Sequence, residues 1–353
     1  MINTSLRHLS VKCSFLGTSF FAGNNIYVDK CGFKRFFSEV FRSSSIGIIK
    51  IQRSTFEKNL EHPIVIKSVF ENEIKTRMVY KGDLVVSNTL FKDCYTNQLG
   101  GAIYIDYGTI KLDYVSFYNC YDPVTSCVYA YVSEFVANYI CCFHCPGYQD
   151  ILSNITNDVK NNTFKDCQFI SCGFGPGRLG RAYLRGGLIV NHNWNVSFSG
   201  GGIGHAGWHP KYYDVRYCQV KNCSGRNAVC PSTYSTSYIQ YCNFLDLFTL
   251  SEGVISYFGN NVVARYCVFM RYSGKVSYML TTDPNHGFSM NNCYSDRAWI
   301  VDCPTSSMNV VSNGLTPVPH TYTKVCLVTL SMTVHPQSKR ISHHFIFLLL
   351  CLV

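Results

Sequence analysis

Apolar and polar residues alternate along short runs in this chain, and the runs recur. The clearest stretch, 85–133, reads as two copies, VVSNTLFKDCYTNQLGGAIYID and TIKLDYVSFYNCYDPVTSCVYAYVS. In each copy an alternating run ends in Phe-x-x-Cys (Phe91 to Cys94, Phe117 to Cys120), passes a few polar residues and resumes as a second apolar run (Ala102 to Ile105, Cys127 to Val132). Strand side chains alternate with period two, so Phe91 and Cys94 cannot both face inward on one straight strand, and the chain must bend between them. Asp93 and Asn119 precede the two cysteines. Asn and Asp tolerate the left-handed backbone that a sharp corner needs. Gly100 and Gly101 then supply the tight bend that opens the next strand.

The same signature continues as Cys142-x-His144-Cys145, Phe164-x-Asp166-Cys167, Val220-x-Asn222-Cys223, Phe244-x-Asp246-Leu247, Phe269-x-Arg271-Tyr272 and Met290-x-Asn292-Cys293. Its anchors step by 26, 25 and 22 residues from Phe91 to Phe164, and by 24, 25 and 21 from Val220 to Met290. Phe198 lies 22 residues before Val220, which leaves a step of 34 and predicts an insertion. A period in the low twenties, with two or three short strands per unit and no helical pattern, predicts an all-β fold: a single-stranded right-handed parallel β-helix, a solenoid with coils of about 21–26 residues. Stacked coils complete one another's strand edges, and the hand follows the general bias of parallel crossovers. The expected organisation is degenerate N-terminal coils over 1–84, the β-helix core over 85–312, and a linker with a short apolar tail over 313–353.

Composition supports strands over helices. The chain is 47% hydrophobic and only 15% charged, against a usual charged share of about a quarter, as expected of a chain rich in buried strands. The net charge of +10 is dispersed, with no run of five Lys or Arg, which argues against a nucleic-acid interface. Nineteen cysteines in 353 residues admit two readings. Five sequons (Asn3, Asn154, Asn161, Asn195, Asn222) would suit a secreted disulfide scaffold. The recurrence of Cys at the repeat anchor, and again at Cys218, Cys242 and Cys267, favours a buried ladder of mostly reduced thiols, because free Cys packs as a small hydrophobe.

The ends carry few targeting signals. Arg7, His8 and Lys12 interrupt the first apolar stretch, so no signal peptide is read there. The closing run Phe345–Val353 is nine residues, short of the ~20 that cross a bilayer as a helix, and leaves membrane association undecided.

Several motifs invite chemistry. Gly202-Ile-Gly204-His-Ala-Gly207 has dinucleotide-binding letters, but Trp208-His-Pro210 follows where a helix should begin. Cys141, Cys142, His144 and Cys145 resemble half of a zinc site, and the second pair is missing. His192, His205 and His209 are metal or acid–base candidates, although the Gly and Pro around the last two deny them a common helix face. No cofactor is implied. A polysaccharide lyase or glycoside hydrolase is the catalytic alternative, since paired carboxylates on one outer face would suffice for glycan cleavage. Two Gly-rich departures, 173–181 and 199–212, sit about one coil apart. In and beside them Arg178, Arg181, Trp194, Trp208, Tyr212 and Tyr213 are candidates for stacking on sugar rings or a protein partner, with Trp194 packed inside its coil as the alternative.

At Phe91 to Cys94 followed by Gly100 to Ile105, F-x-[DN]-C and then GGAIYI, the chain resembles the right-handed β-helix repeat proteins of parabasalid protists. It is similar, more distantly, to the chlamydial polymorphic outer membrane proteins, which repeat GGA[ILV] and F-x-x-N. The resemblance covers roughly 85–303. It implies a non-enzymatic, adhesin-like protein, at the cell surface or secreted, that binds glycan or a protein partner. No catalytic residues carry over, because the shared letters are packing residues.

Overall fold

The structure is a computed structural model. It describes residues 3–14, 21–22, 25–43, 47–66, 82–122, 125–146, 150–154, 161–173, 182–184, 188–197, 199, 204–206, 212–225, 229–230, 236–249, 253–257, 261–274, 280–282, 288–296, 301–302 and 307–310. Every regular element among them is a β-strand, and the strands pair in parallel, each with its counterpart one coil away. The fold is a parallel β-solenoid.

Each coil has two sharp corners, and one non-glycine residue with positive φ sits at each. At the first corner these residues include Arg53 (φ 48°), Asn88 (47°), Tyr114 (53°), Tyr139 (54°), Asp166 (54°), Asn193 (56°) and Tyr217 (55°). At the second they include Lys58 (55°), Asp93 (51°), Asn119 (50°), His144 (50°), Ser171 (52°), Asn222 (51°) and Asp246 (55°). Strands on both sides of the first corner join into one 21-stranded sheet, and a strand beyond the second corner belongs to a 12-stranded sheet. A three-stranded sheet (Ser224–Gly225, Phe248–Thr249, Ser273–Gly274) lies directly after the second corner of three successive coils. Gly100 (φ 85°) makes the expected bend, and Gly108 (φ 124°) passes so close to the coil below that an added Cβ would lie 1.7 Å from the Gly82 carbonyl oxygen.

The interior is a set of columns. One runs Val11, Phe33, Phe56, Phe91, Phe117, Cys142, Phe169, Val196, Val220, Phe244 and Phe269, each in register with the next. Where phenylalanines follow one another their rings stack, 4.9 Å apart for Phe56 with Phe91 and 5.2 Å for Phe91 with Phe117. The register crosses residue 84 without a break, since Leu84 pairs with Ile49 before it and Ile110 after it.

This register corrects the phasing read from the letters. Phe164 pairs with Ala137 and Asn191, and Met290 with Ala264, so both precede the first corner. The residues that continue the Phe91 column are Phe169 and Val196. Cys142, Phe169, Val196 and Val220 therefore follow at 27, 27 and 24 residues, and the step of 34 vanishes. The cause is physical: both corners need the same bend, so both select the same letters five residues apart. The long step lies earlier, from Phe56 to Phe91.

Two cysteine columns line the corners. Cys94, Cys120, Cys145 and Cys172 stack at the second, with Tyr121 N–H donating to the Cys94 carbonyl and Gly173 N–H to that of Cys145. Cys167, Trp194, Cys218, Cys242, Cys267 and Cys293 follow one another at the first, where the backbone ladder again passes from coil to coil. Thirteen described cysteines are free and buried. Thiols add a second donor to carbonyls of this ladder: Cys218 Sγ donates to the Arg216 carbonyl at 3.2 Å and Cys242 Sγ to that of Gln240 at 3.2 Å, where Asn193 N–H and Tyr217 N–H also donate. Ser54 and Thr89 make the same bond with a hydroxyl, to the Gln52 and Ser87 carbonyls, both at 2.8 Å, whereas Val115 and Ile140, in register with Thr89, fill the place without a donor. A thiol suits the position because it is small, buries readily and can still donate. Burial pushes the thiols of Cys120, Cys127, Cys145, Cys167, Cys242 and Cys267 up.

Candidate binding surface

The nominated residues separate. Trp194 is fully buried, its ring edge-on to Phe164 and tilted against Phe169 at 5.0 Å, with Nε1–H donating to the Phe164 carbonyl at 3.3 Å. It fills the cysteine column between Cys167 and Cys218 and is no exposed platform. Tyr213 is likewise buried, paired with Ile189 on an inward row. Tyr213 was expected at the surface and Trp194 either there or packed inside its coil; both face inward because they occupy core positions of the period-two pattern. Tyr212 is half-buried on the outer face, its ring 5.9 Å from that of Tyr238, and burial raises its phenol pKa. Arg178, Arg181 and Trp208 lie outside the described residues, as does His209.

The chemical motifs dissolve into packing. Gly204–Ala206 is a strand of the 12-stranded sheet, paired with Tyr183–Leu184 and Val229–Cys230, so the dinucleotide letters do not form a strand-to-helix turn. Cys142 and Cys145 face the core, Cys141 faces outward between Ser116 and Gln168, and His144 takes the left-handed corner. Among the described residues no group of three or more His, Cys, Asp and Glu is placed to hold a metal ion. No described helix is long and apolar enough to cross a membrane. Two sequons are packed: Asn154 is fully buried and donates to the Val132 carbonyl and Asn162 Oδ1, and Asn195 is buried on the strand after the first corner.

His192 does find a carboxylate. Its Nε2 lies 3.3 Å from Asp214 Oδ2, and Arg216 Nε donates to Asp214 Oδ1 at 2.8 Å. Burial alone would raise the Asp214 carboxyl, but the two hydrogen bonds outweigh it and hold it below the usual range. This carboxylate is committed to its neighbours.

An array the letters did not nominate lies on the first corner. Tyr217, Tyr241 and Tyr266 stand one per coil with rings 5.1 and 5.0 Å apart and within 8° of parallel. Tyr217 is 46% and Tyr266 38% exposed. Arg216, Gln240 and Arg265, in register with one another, precede them on the outer row. A second pair, Tyr114 and Tyr139, stacks at 4.3 Å lower on the same corner, and the neighbouring Asp166 charge raises the Tyr139 phenol pKa. All five tyrosines have φ between 53° and 55°, a conformation that costs a bulky residue about 1–2 kcal/mol. The signal was in the sequence as Tyr-Cys three times (217–218, 241–242, 266–267). The cysteine was read as core, and the residue turned outward beside it went unread.

Compared with described protein families, curated proteins and solved structures, the chain has no significant match to any of them.

Proposed function

We propose that the chain is a non-enzymatic, adhesin-like binding rod, at the cell surface or secreted, that holds an extended glycan along its first corner. The observation that carries this reading is the exposed tyrosine stack Tyr217, Tyr241 and Tyr266, kept in a backbone conformation that Asn or Gly would adopt more cheaply. Stacking returns roughly 0.5–1.5 kcal/mol per pair, so the corner itself does not demand tyrosine. What the stack adds is a straight line of phenol edges at intervals of about 5 Å, with Arg216, Gln240 and Arg265 alongside as planar donors. Repeating polymers suit such a line, since each successive unit meets the same group, and many modest contacts sum along it.

The test is the triple variant Tyr217→Asn, Tyr241→Asn and Tyr266→Asn, chosen because Asn accepts the left-handed corner. Glycan-array binding is expected to fall at least about tenfold, some 1.4 kcal/mol, with the melting temperature unchanged. Undiminished glycan binding by the variant sinks the reading. Binding only to a purified protein would make the partner a protein, and release of sugar products from a polysaccharide panel would replace the rod with the lyase or hydrolase alternative.

A further inference from the structure

Eight large apolar side chains among the described residues are exposed, and four of them form one unbroken line. Phe37 (46%), Leu60 (48%), Tyr95 (36%) and Tyr121 (36%) each stand two residues past the second corner, in four successive coils. Leu60 N–H donates to the Phe36 carbonyl, Tyr95 N–H to that of Asn59 and Tyr121 N–H to that of Cys94, so the backbone ladder carries the four in register. The rings of Tyr95 and Tyr121 lie 6.3 Å apart. The place itself does not demand an apolar group: in later coils it is held by Gly173, Ser224, Phe248 and Ser273, of which only Phe248 is large and apolar. Apolar residues exposed singly need no explanation, whereas a contiguous line rimmed by polar groups marks a contact surface.

The corner residues beside the line are Arg35, Lys58, Asp93 and Asn119, cationic next to Phe37 and Leu60 and acidic or neutral next to the tyrosines. Arg35 and Lys58 are exposed, and neither is ion-paired with a described residue. Asn119 Nδ2 donates to Asp93 Oδ1 at 2.7 Å and to the Tyr95 hydroxyl at 2.8 Å, which holds that carboxylate beside the ring. Glu39 and Glu61 lie within two residues of the line. A rim of both signs suits a protein face, because a polyanion or an anionic membrane would meet these carboxylates as well as the cations.

The rim is complementary to itself. Take a two-fold axis in the contact plane, at right angles to the stack and midway between the levels of Leu60 and Tyr95. Rotation about it sets Phe37 against Tyr121, Leu60 against Tyr95 and Lys58 against Asp93, each pair formed twice. We propose that this line is the contact between two copies of the chain, packed antiparallel as a two-fold dimer, with Lys58 of each copy against Asp93 of the other. With coils about 4.8 Å apart the line is about 14 Å long, at the small end of stable interfaces, so the dimer dissociates on dilution. Tyr217 lies four coils beyond the coil of Tyr121, so the inference stands apart from the glycan reading.

Sedimentation of the full-length protein at rising concentration is expected to show monomer and dimer in exchange. Lys58→Asp alone and Asp93→Lys alone each set like charges against one another in the homodimer, and each is expected to weaken it at least about tenfold. Both keep the corner, since Lys and Asp already adopt its left-handed backbone at 58 and 93. An equimolar mixture of the two variants is expected to restore the dimer, because each copy then meets its opposite charge, and no contact within one chain can be rescued in this way. Leu60→Ser, a residue type that the same place holds at 224 and 273, is expected to weaken the dimer with the melting temperature unchanged. A wild-type chain that stays monomeric at every concentration, single variants that dimerise like the wild type, or a mixture that stays monomeric overturns the proposal.

Discussion

A cysteine at a corner of this solenoid is a hydrogen-bond donor of the right size. Cys218 donates to the carbonyl two residues back, as Ser54 and Thr89 do from equivalent places. Cys218→Ser is therefore expected to cost under about 1.5 kcal/mol, while Cys218→Val, similar in volume but without a donor, is expected to cost about 0.5–1.5 kcal/mol more by losing the second bond to the Arg216 carbonyl, which keeps the Asn193 N–H. Thermal or urea denaturation of the two variants checks the order, and equal losses would show that volume alone matters. At this scale the sequence was partly legible. Asn and Asp before a Cys announced left-handed corners correctly at Asp93, Asn119 and Asn222. Arg53, Lys58 and the corner tyrosines adopt the same conformation, and no single-residue preference would choose them, because stacking on the coils above and below decides. Trp194 and Tyr213 were misplaced for a related reason: aromatic letters do not reveal which side of a strand they occupy until the register is known.

Between strands, the letters showed that coils repeat but not where each begins. Two corners per coil share one signature, so Phe164 and Met290 were counted with Phe91 although they belong five residues earlier in their coils. Ion pairs between coils are a consequence of register that no spacing rule displays. Asp214 takes hydrogen bonds from His192 in the strand below and from Arg216, and Asp246 takes them from Arg271 one coil above. The Arg271 bonds lower the Asp246 carboxyl, as those from His192 and Arg216 lower Asp214. A carboxyl with a lower pKa folded than unfolded binds its proton more weakly in the native state. Its stabilisation is complete above the unfolded value, about 3.9, and is lost as pH falls through the folded one. The melting temperature is thus expected to hold from neutral pH to about 4 and to drop below it. Asp214→Asn is expected to flatten that drop and to cost about 1–3 kcal/mol at pH 7, whereas Asp246→Asn, at an exposed pair, should cost under about 1 kcal/mol. A drop of the same steepness in Asp214→Asn would exclude its carboxylate as the titrating group.

Over the whole molecule, the register joins the described strands from Asn3 to Val310 into one stack of coils, so solvent reaches the described buried thiols only when coils open. Alkylation of native protein near pH 8 is expected to leave the thirteen described free cysteines unmodified over hours and to complete within minutes in denaturant; rapid native labelling at any of them would place that corner in exchange with solvent. The architecture was legible because a solenoid writes its period into the sequence many times over. The candidate surface was not, because a corner residue that points outward carries no pattern of its own.

The bonds that join one coil to the next point along the length of the stack, whereas the covalent chain runs around it. A tug on the two ends would open the stack like a zip, releasing about 25 residues at each step. A ligand held at the tyrosine corner, as proposed, would instead pull sideways, across several turns of covalent chain at once. Such a body is weak as a rope and strong as a peg.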